Sequence, residues 1–147
     1  MLDRGARRVL ALDVGHDQLD PSLRSHPLVE SYERLNIRDA SPADLGAPFD
    51  LIVADVSFIS LTVVAGSLAG LGGPASDWIV LVKPQFEAGR DRVGKGGIVR
   101  DDAVRRQTRD RAVALMESLG ATELRTMESP IRGAKGNLEY LVAARLG

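Results

Sequence analysis

Cysteine is absent from the 147 residues. That excludes disulfide bridges and thiolate metal sites, and no metal centre is expected. Long hydrophobic runs are missing too. No stretch is apolar for long enough to span a bilayer, and the opening MLDRGARRVL lacks a secretory pattern. An excess of charge of one sign is also lacking. Nineteen Lys and Arg stand against twenty Asp and Glu, which argues against a protein that binds polyanions over its whole surface. These absences point to a cytoplasmic globular protein with no membrane partner, and the length suits one domain, residues 1–147, with one core.

Lysine is scarce. Most of the basic residues are arginine, and the only lysines are Lys83, Lys95 and Lys135. Arginine stays charged at any working pH, whereas lysine can give up its proton where it is buried or crowded. Each lysine is therefore read individually, although a general arginine bias also follows from codon usage.

Several apolar runs read as strands: Arg8 to Val14, Leu28 to Leu35, Phe49 to Phe58 and Asp77 to Lys83. Runs this continuous suit strands covered on both faces, as in a parallel sheet. Between them, the Ser-Pro start and Gly stop of SPADLG predict a short helix around Pro42 to Leu45. A second helix is expected after Ser60, and the strongest over Asp101 to Gly120. There Asp101 or Asp102 caps the start, Val104, Ala112, Leu115, Met116 and Leu119 mark an apolar face, and Gly120 stops the run. Two further strands, Glu123 to Glu128 and Leu138 to Ala144, are spaced to form an antiparallel pair. The alternation predicts an α/β doubly wound sheet, and a C-terminal antiparallel pair closing such a sheet is typical of Rossmann-like methyltransferase folds. The Gly-rich, charged segment from Pro84 to Val99 is expected to be the one long functional loop.

In open parallel sheets, ligands lie beyond the carboxyl ends of the strands. Three of the predicted strands end there in polar groups: Asp13, Asp55 and Lys83. Asp13 suits either a ribose-binding acid or a capping residue, and Asp55 either a site acid or a cap for the next helix. Lys83 stands before Pro84, which holds the backbone extended. Its amine is placed to bind phosphate, to pair with Asp55, or to act as a base.

DLIVADVSFISL, LVKPQFEAGRDRVGKGGIVRD and GNLEYLV, together with RGARRVLALDVGHDQL and ERLNIRD, make the chain resemble the hemolysin A type of FtsJ-like RNA methyltransferases. The resemblance covers essentially the whole sequence. It implies S-adenosylmethionine as methyl donor and a ribose 2′-hydroxyl of ribosomal RNA, free or in a ribosomal subunit, as acceptor. It further implies a catalytic Lys-Asp-Lys-Glu set in which Asp55, Lys83 and Glu139 take the last three places. Lys83 would accept the hydroxyl proton, while Asp55 and Glu139 position the basic groups. Asp13 matches the cofactor-ribose position, Asn36 and Ile37 the loop that meets the adenine, and Asp55 also borders the cofactor. From Lys83 to Arg111, nine Lys or Arg face five Asp or Glu. Arg90, Arg92, Lys95 and Arg100 are the expected RNA-phosphate contacts.

The family pattern also carries an S4-type RNA-binding domain, a first strand with a glycine-rich cofactor turn, and a first catalytic lysine. Here no lysine precedes Lys83 and no Gly-x-Gly turn precedes Asp13. The expectation is therefore a domain truncated at its front and lacking its first, central strand. The alternative function that follows is a non-catalytic RNA-binding remnant. A nicotinamide oxidoreductase is disfavoured by the missing glycine fingerprint, and a membrane-lysing protein by the lack of any long amphipathic or spanning segment.

Overall fold

The computed structural model describes residues 1–147, which fall into two compact units, Met1–Gly46 and Ala47–Gly147. The strands form two sheets, one in each unit.

In the first unit, β1 (Val9–Leu12) and β2 (Val29–Tyr32) pair in parallel, with Val9 opposite Val29 and Leu12 opposite Tyr32. The ladder runs on at both ends, through Val9 N–H to Leu28 O and Asp13 N–H to Tyr32 O. Between the strands, α1 (Pro21–Arg24) is capped by Asp20, whose carboxylate accepts from the Ser22 N–H. Pro42–Leu45 forms α2, capped by Ser41 and closed by left-handed Gly46, as the Ser-Pro…Gly spacing predicts. Leu45 is the one buried side chain of this unit. Ion pairs supplement so thin a core. Arg8 binds both carboxylate oxygens of Glu30, at 2.6 and 2.9 Å, and also reaches Leu45 O. Arg24 bridges Asp17 and Glu33. The Arg8 hydrogen bond holds the Glu30 carboxyl below its ordinary range, and the Arg24 hydrogen bond does the same for Asp17.

The second unit carries a four-stranded mixed sheet in the order β3-β4-β6-β5, formed by β3 (Phe49–Ala54), β4 (Gly72–Val82), β5 (Ala121–Glu128) and β6 (Tyr140–Leu146). β3 and β4 are parallel, while β6 runs antiparallel to both β4 and β5, so the predicted C-terminal antiparallel pair is present. Helix α3 (Leu61–Ala69) starts at Ser60, whose side chain accepts from Thr62 N–H. Helix α5 (Asp102–Ser118) starts at Asp101, whose carboxylate accepts from the Ala103 and Val104 N–H groups. Gly120, just past the end of α5, has φ 87°, a conformation that costs glycine little.

The core lies on one face of this sheet. Trp78, Val80, Val82 and Val142 are each at most 1% exposed, and each contributes roughly 1.5–3 kcal/mol by leaving water. Ile79, between Trp78 and Val80, is 40% exposed, and Val53, between buried Ile52 and Ala54 of β3, is 53% exposed. The expectation of burial on both faces is thus corrected: strand geometry sends successive side chains to opposite sides, and only one side is packed here. Two boundaries also shift. β4 starts at Gly72 rather than Asp77, and the predicted Pro84–Val99 loop opens with a helical turn, α4 (Pro84–Glu87), then a 3-10 turn at Arg90–Arg92. Pro84 supplies the fixed φ of a first helical position, which outweighed the glycine signal after it.

Candidate active site

Lys83 is the hinge between β4 and α4. Its backbone is extended (φ −110°, ψ 100°), and Pro84 begins the helical turn directly after it. The strand therefore delivers the side chain at its carboxyl end. The Lys83 Nζ lies 2.6 Å from Asp55 Oδ1, just beyond the end of the neighbouring parallel strand β3. It also donates to Ser57 Oγ at 2.9 Å. The Lys83 side chain is 13% exposed and that of Asp55 63%, so the pair stands at the rim, with the amine inside and the carboxylate facing water. A pair this open adds little stability.

Two aromatic rings border the amine. Phe86 lies 6.0 Å from Nζ to its ring centre, and Phe58 packs on Phe86 with centroids 4.9 Å apart. Phe58 itself is 90% exposed and has φ 63°. A bulky residue held in that backbone region with its ring in solvent is a local cost, of the kind that concentrates at functional sites.

Glu139 immediately precedes β6 and is buried, 4% exposed. Its Oε1 accepts from Gln85 Nε2 at 2.8 Å, which ties it to the α4 turn that follows Lys83. It makes no ion pair with Lys83 itself. The Gln85 Oε1 is buried and has no donor. Gly133 makes room for the carboxylate: a Cβ there would fall 2.0 Å from Glu139 Oε1.

Two further polar residues fix the segments around this centre. Glu87 accepts from Ser60 Oγ and from the Leu61 N–H, each at 2.7 Å, locking α4 to the start of α3. Asn137 is 3% exposed. Its amide donates to Gly97 O and Ala134 O and its oxygen accepts from Val99 N–H, so the Gly94–Val99 turn is pinned to the segment that carries Glu139. Among the expected RNA contacts, Arg90, Lys95 and Arg100 are exposed and unpaired. Arg92 is engaged instead, with Ala88 O and with Gln107 of α5. Lys135, not among the RNA contacts expected from sequence, has its amine close to Gly97.

The first unit brings together the remaining expected residues. Asp13 lies just past β1, and its Oδ1 accepts from Gly15 N–H at 2.7 Å. The Leu35 N–H donates to Asp13 O at 3.1 Å, which sets the Asn36–Ile37 turn beside it. Asn36 Oδ1 accepts from Arg38 N–H, leaving its amide N–H groups free. A hollow of about 120 Å³ adjoins Asp13. An exposed carboxylate with capacity for hydroxyl donors, beside a hollow lined by Ala11, Leu12 and Leu19, suits the hydroxyls of a ribose, and neither Asn36 nor Ile37 lines that hollow.

Sequence reasoning singled out neither Gln85, Gly133, Asn137 nor Phe58 as functional. The only signal for Gln85, Asn137 and Phe58 was position inside the KPQFE, GNLEY and DVSF blocks, and Gly133 had none. Partners tens of residues away give Gln85, Asn137 and Phe58 their roles, while Gly133 answers to Glu139, six residues on.

The FtsJ-like methyltransferase family model matches residues 1–146. The chain is 43% identical over 145 residues to the 16S/23S rRNA (cytidine-2′-O)-methyltransferase TlyA of Mycobacterium tuberculosis, covering 99% of this chain and 54% of that protein. A solved hemolysin candidate from Lactococcus lactis superposes with a TM-score of 0.93 at 38% identity, covering 99% of this chain and 70% of that one. An O-methyltransferase from Bacillus cereus, solved with SAH, shares the fold at a TM-score of 0.58 and 16% identity, over 94% of this chain and 62% of that one. The chain spans about half the length of the curated relatives it matches.

Proposed function

The chain belongs to the FtsJ-like methyltransferase family, and from that membership we propose that it carries the catalytic part of an enzyme that methylates ribose 2′-hydroxyls in cytoplasmic ribosomal RNA. The observation that carries this reading is the Lys83–Asp55 pair, 2.6 Å apart beyond the carboxyl ends of two parallel strands. The name of the M. tuberculosis relative gives the substrate class. The family match spans both compact units, and we take the two as parts of one methyltransferase domain.

S-adenosylmethionine, when bound, supplies an electrophilic methyl on a sulfonium, which leaves as a neutral thioether. In the first unit, Asp13 with Asn36 and Ile37 would hold its nucleoside part. The rest of the chemistry belongs to this chain. Lys83, as the free amine, takes the proton of the 2′-hydroxyl, and the freed oxygen forms the new O–CH₃ bond as the S–CH₃ bond breaks. Asp55 and Ser57 aim the Lys83 nitrogen. Glu139, fixed through Gln85, lines the buried side. Alignment and one proton removal are the main contributions such a site makes. The exposed ring of Phe58 offers a face on which an unstacked base can lie.

Calorimetry with S-adenosylmethionine, followed by tritium transfer to ribosomal RNA, tests the reading. Lys83→Arg is expected to fold and to bind cofactor but to transfer no methyl, because a guanidinium cannot take the proton. An active Lys83→Arg protein would overturn the role of Lys83. Absence of any binding heat from the unaltered chain would favour a non-catalytic RNA-binding remnant.

A further inference from the structure

A second feature of the Ala47–Gly147 unit stands apart from the Lys83 pair. A groove of about 300 Å³ runs between α5 and the antiparallel β5–β6 pair. Leu138 and Tyr140 line it, whereas the Glu139 carboxylate between them points to Gln85, as alternation along an extended chain requires.

One wall carries Arg105, Arg106 and Arg109 of α5, and the three are in different states. Arg105 is committed: it pairs with Asp102 and donates to Val99 O. Its charge is balanced and it ties the groove to the Gly94–Val99 turn beside the catalytic segment. Arg106 is exposed and has no partner of any kind. Arg109 is braced, with its Nε on Asp110 at 2.8 Å and its guanidinium 5.8 Å above the Tyr140 ring. Asp110 and the Tyr140 ring together hold this guanidinium at the groove wall, and its side chain is 29% exposed. The opposite wall is the Thr126–Glu128 stretch of β5, where Thr126 and the unpaired Glu128 share the face of Tyr140. Among the lining residues three arginines face two carboxylates, and Arg109 also pairs with Asp110, so Arg106 is the one cation of the groove without a partner.

A free cation beside a second guanidinium that borders an aromatic ring, in a largely polar groove, matches a phosphodiester strand with an unstacked base better than a smooth duplex surface. We propose that this groove binds a single-stranded segment of the RNA flanking the methylated nucleotide, with Arg106 on a phosphate and Arg109 under a base. The proposal rests on the RNA-methyltransferase reading but needs no catalytic turnover for its test.

The test is anisotropy of the full chain with a short labelled single-stranded oligoribonucleotide across a salt series. Arg106→Gln, which breaks no contact in the protein, is expected to weaken binding and to lower the salt-dependence slope by about 0.7, the share of one single-strand phosphate. Arg109→Lys keeps the charge but loses the flat face. It is expected to weaken binding roughly five- to tenfold with the slope unchanged. Unaltered binding by both variants, beside a wild-type chain that does bind, overturns the groove and leaves the methyltransferase reading standing. Equal weakening on a duplex of the same sequence, or displacement of the oligomer by poly-glutamate at matched charge, overturns the assignment to single-stranded RNA. A wild-type chain that binds no RNA overturns both the groove and the RNA substrate, and S-adenosylmethionine calorimetry then shows whether the methyltransferase assignment alone survives.

Discussion

Lys83 shows how a single side chain acquires a role. A lysine between an apolar strand and a proline is legible in sequence as a cation delivered to a strand end. The 2.6 Å approach to Asp55 and the bond to Ser57 depend on the parallel pairing of β3 with β4, which sequence only suggests. Gly133 is the reverse case. Nothing in its local sequence marks it, and its φ of −71° is open to any residue. Only the Glu139 carboxylate, folded back against it, excludes a methyl group. Gly133→Ala is accordingly expected to destabilise the protein by about 1–3 kcal/mol through overpacking, seen as a lowered Tm, and to displace Glu139 with loss of methyl transfer. Phe58→Ala removes an exposed ring and relieves no core contact. It should leave the unfolding free energy within roughly 0.5 kcal/mol of the parent's while weakening oligoribonucleotide binding, and an unchanged affinity would remove the ring from the RNA surface.

Among elements, the helices were the more legible. Ser41, Ser60 and Asp101 all cap as their spacing predicts, because an N-cap is a contact between neighbours in sequence. α4 was missed, and its purpose is only visible in three dimensions: four residues deliver Gln85 to Glu139 and Glu87 to the start of α3. Asn137 does the same for the Gly94–Val99 turn. Asn137→Ala strands the buried Val99 N–H and frees Gly97, at an expected cost of about 1–3 kcal/mol. Amide exchange should speed up most across residues 94–99, and a uniform change over the whole chain would contradict the local role.

For the molecule as a whole, the two units differ in how they are held. The second buries an apolar face, while the first buries Leu45 alone and relies on ion pairs. The carboxyls of Asp17, Glu30 and Glu33 are all held below their ordinary range, the first two chiefly by arginine hydrogen bonds and Glu33 chiefly by a backbone hydrogen bond at Asp17. A carboxylate lowered on folding stabilises above its unfolded value, about 4, and that contribution is lost as pH falls through the lower folded value. Amide exchange in β1 and β2 is therefore expected to rise below about pH 4 before that in β4 and β6, and high salt should have a similar, smaller effect. The sequence by itself determined the α/β class, the capped helices and the polar strand ends, because each rests on periodicity or on contacts between near neighbours. The tertiary structure alone decided which sheet face is buried, that Glu139 answers to Gln85 rather than to Lys83, and which arginines stay free. Those outcomes depend on residues far apart in the chain, and no local pattern encodes their distance.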